Sequence, residues 1–402
     1  FGYDGEGVVV ANIDTGIDYD HPALLHQYRG YDPATGSVDH NYNWYDGADP
    51  SNTVPTYDPM YFGDHGTHVM GTMVGFTPTG VYTTSTSVYT GPIHTGVAPS
   101  ADWISVRHYS NVITEFDWFL APCRAGYSPG DPGCNADPDK RPHIINSSWP
   151  HPGAEVLNSL RAAGILTVYS AGNEGASTPL EDGFCTLPAG GGEAIGPSFS
   201  VGAIGMFQQI TPTVSGWSSR GPGHLGTPPI VRTNELKPDV VAPGVQILST
   251  VPPDVDPDEY DDGYSASAGT SFAAPHVAGA AALLRQALEV KNYTTGDVVS
   301  RLECLLTSSA SDVIRVRWPE HDANYCLPGT DYASGYGLIS VYEAVANITS
   351  EGFPLWIALA NNSSGPTSVL SGTVAPGEAQ TAVIYLNALC PASGTFEARL
   401  RI

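Results

Sequence analysis

From Gly7 onward the chain alternates short apolar runs with stretches of helical periodicity, and this alternation limits its fold more than any other feature. Gly7 to Ile13 reads as a buried strand, His65 to Gly75 as a helix and Asp102 to Val106 as a second strand. His143 to Ser147 and Ile165 to Ser170 read as strands on either side of a helix over Glu155 to Ala163. Ser200 to Ile204 and Val245 to Ser249 add strands, and Ser271 to Leu288 is the longest helical pattern. Continuous apolar runs suit strands covered on both faces, and a helix between successive strands makes them parallel. The expectation is an α/β fold: a doubly wound, mostly parallel sheet flanked by helices. After a short helix at Tyr342 to Ala346, four strand-like runs separated by turn residues follow: Pro354 to Ala360, Ser368 to Val374, Thr381 to Leu386 and Phe396 to Ile402. Residues 1–350 therefore read as the main domain and 351–402 as a small β-rich appendage.

Composition narrows the functional classes. The net charge of -25 arises because only 16 basic residues face 41 acidic ones, the opposite of what a nucleic-acid surface requires. With 41% hydrophobic residues, the 45 glycines and 34 prolines mark turns around a compact body rather than disorder. No apolar run approaches the length of about 18 residues that a membrane helix needs. Two Pro/Gly-rich stretches, Pro122 to Pro142 and Gly221 to Pro238, each precede a sheet segment, which puts them at the strands' amino ends as structural insertions.

The six cysteines have no zinc-like spacing, so disulfides in an oxidising compartment are expected, and with them a secreted, extracellular, monomeric protein. Local pairs Cys123 with Cys134 and Cys304 with Cys326 leave Cys185 with Cys390, while free buried thiols remain an alternative. The chain begins at Phe1 rather than Met, and an N-terminal propeptide removed from in front of it is expected.

Four segments carry chemistry. Asp14, in Ile13-Asp14-Thr15-Gly16, falls at the carboxyl end of the first strand, where an acid can be buried yet face a cleft. His65, in Asp64-His65-Gly66-Thr67-His68, opens a helix near the same strand ends. Asn173, in Ser170-Ala171-Gly172-Asn173-Glu174-Gly175, follows another strand at its carboxyl end. Ser271 begins the long small-residue helix, so its own N–H and the positive end of the helix dipole lie where an oxyanion would form. Singly these are a turn aspartate, a packed histidine, a turn asparagine and an N-cap serine. Together they converge on one edge of one sheet and supply a nucleophile, a base, a group to orient the base and an oxyanion donor. The His65 and His68 spacing also suggests a metal pair, but the glutamate of an HExxH site is missing and no third ligand is indicated.

Taken together, Ile13 to Asp18, His65 to Gly71, Ser170 to Gly175 and Gly269 to Gly279 resemble the motifs of the subtilisin family of serine peptidases. Within it the chain looks most similar to bacillopeptidase F-like enzymes, through His65 to Gly75, Thr95 to Ser100, Asn146 to Trp149 and Glu235 to Thr250. The resemblance runs from about Gly5 to about Asn347 and implies a subtilisin-like fold and a serine endopeptidase acting on polypeptide substrates. Ser271 would then be the nucleophile, His65 the general base, Asp14 its orienting acid and Asn173 an oxyanion donor.

It also implies a primary specificity pocket walled by Ser148, Trp149 and Pro150 on one side and by Ser170, Ala171 and Gly172 on the other, whose free backbone groups would hold substrate as an added strand. Thr186 would lie in that pocket, above a floor turn at Leu187-Pro188-Ala189, and Pro150-His151 stands where many relatives have a glycine pair. No cofactor is required for this chemistry. The family's usual calcium loop corresponds to Phe76 to His94, which has no Asp, Glu or Asn; structural calcium is instead looked for at the acidic cluster from Asp254 to Asp262, where a solvated loop is the other reading. The metal ligands stay unassigned. The same cluster, leading into Ser271, would favour basic residues after the scissile bond. Two other classes stay open: a catalytically inactive subtilase-like binding module, which would lack a triad or oxyanion residue, and a metallohydrolase, which a chelator would abolish.

Overall fold

The computed structural model of the chain describes residues 1–58, 63–83, 88–109, 111–148, 152–175, 198–207, 211–221, 224–225, 231–232, 236–253, 263–294, 296–311, 315–316, 333–348, 357–360 and 383–386. Among them, nine strands form one sheet: β1 (Val9–Asp14), β2 (Trp44–Asp46), β3 (Asp102–Arg107), β4 (Ile144–Ser147), β5 (Leu166–Ser170), β6 (Phe199–Phe207), β7 (Thr211–Val214), β8 (Val240–Pro243) and β9 (Arg315–Val316). Their spatial order is β9-β7-β6-β5-β4-β1-β3-β2, with β8 also paired to β6. Every pairing is parallel except that of β6 with β7. A chain similar in fold to a doubly wound sheet gathers its functional groups at the carboxyl ends of such strands.

Alternation along the strands builds two cores. Val8 and Val10 of the first strand segment, with Trp103, Ile144 and Val168, face the helices α1 (His65–Val74) and α4 (Thr270–Val290). Ala11, Ile13, Ile104, Val106 and Ile145 face the other way, toward α2 (Val112–Leu120) and α3 (Ala154–Ala162). Burying both faces explains why the strands read as unbroken apolar runs instead of alternating ones. The small residues of α4 let it approach closely: a Cβ on Gly279 would stand 2.7 Å from Val97 Cβ and 3.1 Å from the Met73 carbonyl. Asn111 caps α2 by accepting from the Thr114 N–H, and Asp297 caps α5 (Val298–Ser308) by accepting from Ser300.

One expected strand is displaced. The sheet member is β8, and the run expected at Val245 to Ser249 becomes Ile247–Thr250, which leaves the sheet and pairs antiparallel with Tyr264–Ser267. The sheet run is only Val240–Pro243, between Pro238 and Pro243, so its apolar signal is short. Gly244 ends it where a Cβ would meet Ala203 Cβ at 2.6 Å and the Gly269 carbonyl at 2.9 Å. The stretch expected to lack a calcium loop forms an antiparallel hairpin, Phe76–Thr83 with Val88–His94.

Cys123 and Cys134 are bonded to each other, within the insertion that ends just before β4. Cys304 is also disulfide-bonded, and Cys185, Cys326 and Cys390 lie outside the described residues. Of the four strand-like runs in the appendage, Ile357–Ala360 pairs antiparallel with Val383–Leu386; the other two lie outside the described residues. Among those described, no helix is long and apolar enough to cross a membrane.

Candidate active site

β1 delivers Asp14 at its last residue and α1 delivers His65 at its first. Asp14 is fully buried, and its Oδ1 lies 2.7 Å from His65 Nδ1. A carboxylate can only accept, so Nδ1 carries the proton and Nε2 is left as the basic nitrogen. The same Oδ1 accepts the Thr15 N–H at 2.7 Å, and the Asp14 carbonyl accepts the His108 N–H at 2.7 Å. Burial pulls the His65 pKa down, but the charge of Asp14 and its hydrogen bond, with the charge of Asp64, outweigh it, so the net shift is upward from 6.5.

The first turn of α1 fits against β1 because residue 66 is glycine. A Cβ there would stand 2.2 Å from the Gly16 carbonyl oxygen and 3.1 Å from Asp14 Cβ. The Gly66 N–H donates to Thr15 Oγ1 at 3.1 Å.

Ser271 is the second residue of α4, so its N–H is among the helix-start donors that have no acceptor inside the helix. The residue is at the edge of burial, 9% exposed. The Ser271 carbonyl accepts from Ser148 Oγ at 3.3 Å, which ties α4 to the end of β4. Phe272, next to Ser271, has its ring centroid 5.4 Å from that of His65, so the two helix starts meet across the site.

Asn173 follows β5 and is exposed. Its Oδ1 accepts from both the Thr270 N–H, at 2.8 Å, and Thr270 Oγ1, at 3.0 Å. With the oxygen engaged twice, the amide orientation is fixed and Nδ2 is presented on the side of Gly269, 3.7 Å from where a Cβ of residue 269 would sit. Thr270 Oγ1 also accepts the Gly172 N–H at 3.1 Å. Thr270 is therefore a bridge that reading the motif alone misses; its one signal is that it directly precedes Ser271.

The second histidine of the motif has a different environment. His68 Nε2 donates to the Ile247 carbonyl at 2.9 Å, its ring packs edge-on against Phe272 at 4.3 Å, and burial pushes its pKa down to about 4. His68 is thus a packed histidine that shares the Phe272 ring with His65 and spends its Nε2 on a backbone carbonyl. Among the described residues no group of three or more His, Cys, Asp or Glu side chains converges as a metal site would.

Of the expected pocket walls, Ser148, Ser170, Ala171 and Gly172 are described and buried. The expected free backbone groups are not all free: the Ala171 N–H donates to Val201, the Gly172 N–H to Thr270, and the Gly172 carbonyl accepts from Ser219. The cause is that the strand end here is stitched into β6 and α4. Trp149, Pro150 and Thr186, the floor turn and the acidic cluster from Asp254 to Asp262 lie outside the described residues.

The subtilase family model matches residues 5–337. Bacillopeptidase F of Bacillus subtilis strain 168 is 35% identical over 362 residues, which cover 87% of this chain and 21% of that protein. Subtilisin E of the same strain is 31% identical over 321 residues, 76% of this chain and 62% of that protein. The chain thus spans about a fifth of the one and less than two thirds of the other. Among solved structures, that of fervidolysin from Fervidobacterium pennivorans, described as a keratinolytic enzyme related to subtilisin, is similar with a TM-score of 0.51 at 24% identity, over 86% of this chain and 43% of that one. That likeness shows the fold.

Proposed function

The chain belongs to the subtilase family, and from that premise we propose that it is a secreted serine endopeptidase that cleaves polypeptides through an acyl-enzyme on Ser271. In this reading Ser271 Oγ attacks the scissile carbonyl while its proton passes to His65 Nε2, and a new C–O bond forms as the carbonyl becomes an oxyanion. Asn173 Nδ2 and the Ser271 N–H donate to that oxyanion. Collapse breaks the C–N bond, and the leaving amine takes the proton from His65. Water, deprotonated by the same nitrogen, then releases the acyl group. Asp14 keeps the imidazole in the tautomer that can do this and stabilises the imidazolium. No cofactor enters these steps.

The observation that carries the reading is the pair formed by buried Asp14 and His65 Nδ1 at 2.7 Å, facing the helix start that bears Ser271. Action outside the cell is the setting proposed for it, and the Cys123–Cys134 bond supports an oxidising compartment. Casein hydrolysis by the purified chain and by Ser271→Ala tests the proposal. Cleavage is expected from the first and a loss of at least about 10^4-fold in the second; equal rates would refute it.

A further inference from the structure

Along β1, the side chains facing α1 and α4 run Val8, Val10, Asn12, Asp14, apolar at the amino end and polar at the carboxyl end. Asn12 pairs in register with Ser105 of β3, whose neighbour on the same face is Trp103 of the apolar core. Both Asn12 and Ser105 are 0% exposed. A buried amide and hydroxyl in an apolar sheet face are costly unless bonded, and replacing both partners by apolar groups is close to neutral for stability. What this pair holds is therefore more informative than its own contribution to folding.

Ser105 Oγ donates to Asn12 Oδ1 at 2.7 Å, which fixes the amide so that Asn12 Nδ2 donates to the Gly66 carbonyl at 3.1 Å. Gly66 directly follows His65, and its N–H is already held by Thr15 Oγ1 at 3.1 Å. Side chains of β1 and the residue after it thus grip both ends of the glycine that joins His65 to the rest of α1. The helix start is further fixed from outside, since Thr250 Oγ1 donates to the Thr67 carbonyl and Ser249 Oγ to the His68 carbonyl, both at 2.8 Å. From the strand that carries Asp14, Asn12 reaches the backbone of this helix start through the Gly66 carbonyl.

We propose that Asn12, oriented by Ser105, is a positioning residue for His65, setting the imidazole against Asp14 by clamping the Gly66 peptide. This rests on the peptidase chemistry proposed above. Asn12 touches neither substrate nor the reacting atoms; it acts through the helix start. Valine at this position would continue the Val8, Val10 stripe with a residue suited to a buried strand; Asn12→Val alone leaves the Ser105 hydroxyl unpaired, whereas Asn12→Val with Ser105→Ala removes both partners and is expected to fold with stability close to that of the wild type.

The test compares the wild-type chain with Asn12→Val, Ser105→Ala and the double variant, with kcat for a casein-derived peptide expressed per active site titrated by a serine-directed phosphonate. Asn12→Val is expected to lower kcat about tenfold with KM changed less than about twofold, and Ser105→Ala to lower kcat about threefold. Because Ser105 acts only through Asn12, the double variant should be no slower than Asn12→Val. The downfield imidazole N–H proton resonance of His65 should be sharp in the wild type and broadened or shifted in Asn12→Val and in the double variant, the latter at a Tm within a few degrees of the wild type. An Asn12→Val protein that keeps both kcat and this resonance, or single effects that multiply in the double variant, would overturn the inference. If the wild-type chain failed to cleave casein, the peptidase reading would fall, and the resonance alone would still decide the role of Asn12.

Discussion

The two halves of the cleft are held by different means. On the β1 and α1 side a charged pair is buried and braced, with Asp14 fully enclosed, its carboxylate accepting from Thr15 as well as His65, and Gly66 gripped at both ends. On the β5 and α4 side the contacts that orient the oxyanion donor are neutral: Thr270 orients the Asn173 amide and receives the Gly172 N–H, and small residues let α4 sit close behind Ser271. The difference follows the work proposed for each half. A proton must move on the first side, so a tautomer and a charge have to be fixed. Charge must be received on the second, which needs only dipoles already pointing the right way.

Breaking the charged half should have the largest effect. Asp14→Asn offers His65 Nδ1 an amide that can present its donor and favour the wrong tautomer, and kcat should fall about 10^4-fold with little change in KM. Steady-state kinetics on a peptide substrate checks this; a loss under tenfold would mean that Asp14 does not orient the base. Breaking the neutral half should cost less. Asn173→Ala removes one oxyanion donor, and a fall of about 10^2 to 10^3 in kcat is expected, again with KM nearly constant.

The contrast between His65 and His68, one helical turn apart, sharpens the same point through stability. His65 gains a carboxylate and its pKa is raised, whereas His68 meets backbone groups and burial lowers its pKa to about 4. A depressed histidine stabilises the fold above its unfolded value of about 6.5, and that contribution is lost as pH falls toward 4. Tm should therefore drop between pH 6.5 and pH 4, and His68→Asn should flatten this slope, by an amount on the order of 2 kcal/mol. Thermal melts across that range measure it; an unchanged slope would show that His68 is not held neutral. The smallest effect is expected from Thr270→Val, which removes the hydroxyl anchor of the Asn173 amide but keeps the Thr270 N–H that also holds it: kcat should fall by no more than about tenfold. A Thr270→Val loss as large as that of Asn173→Ala would mean that Thr270 itself touches the oxyanion.

Much of this architecture was legible in the sequence because burial on both faces leaves unbroken apolar runs: Asp14 stands at the end of one, Asn173 shortly after another, and His65 at the start of a helical pattern. The long Ala- and Gly-rich helix after Ser271 was equally visible. What could not be read were partners distant in sequence: Thr270 meets Asn173 across 97 residues, and Ser105 meets Asn12 across 93. Asn12 did leave a trace, as a polar residue at an inward position of a strand. β8 was missed because its apolar run is cut short by prolines at both ends, and the neighbouring run at Ile247–Thr250, expected in the sheet, pairs elsewhere. The bonds that engage the Ala171 N–H and both backbone groups of Gly172 were hidden for a similar reason, since their partners at Val201, Thr270 and Ser219 are fixed by the fold and not by local sequence.

Labelling with a serine-directed phosphonate, followed by peptide mapping, tests the central claim most directly. The account predicts a single adduct on Ser271, formed at a rate that rises with pH through an apparent pKa above 6.5 and is lost in His65→Ala. An adduct at another residue, or labelling of Ser271 that is indifferent to His65, would contradict it.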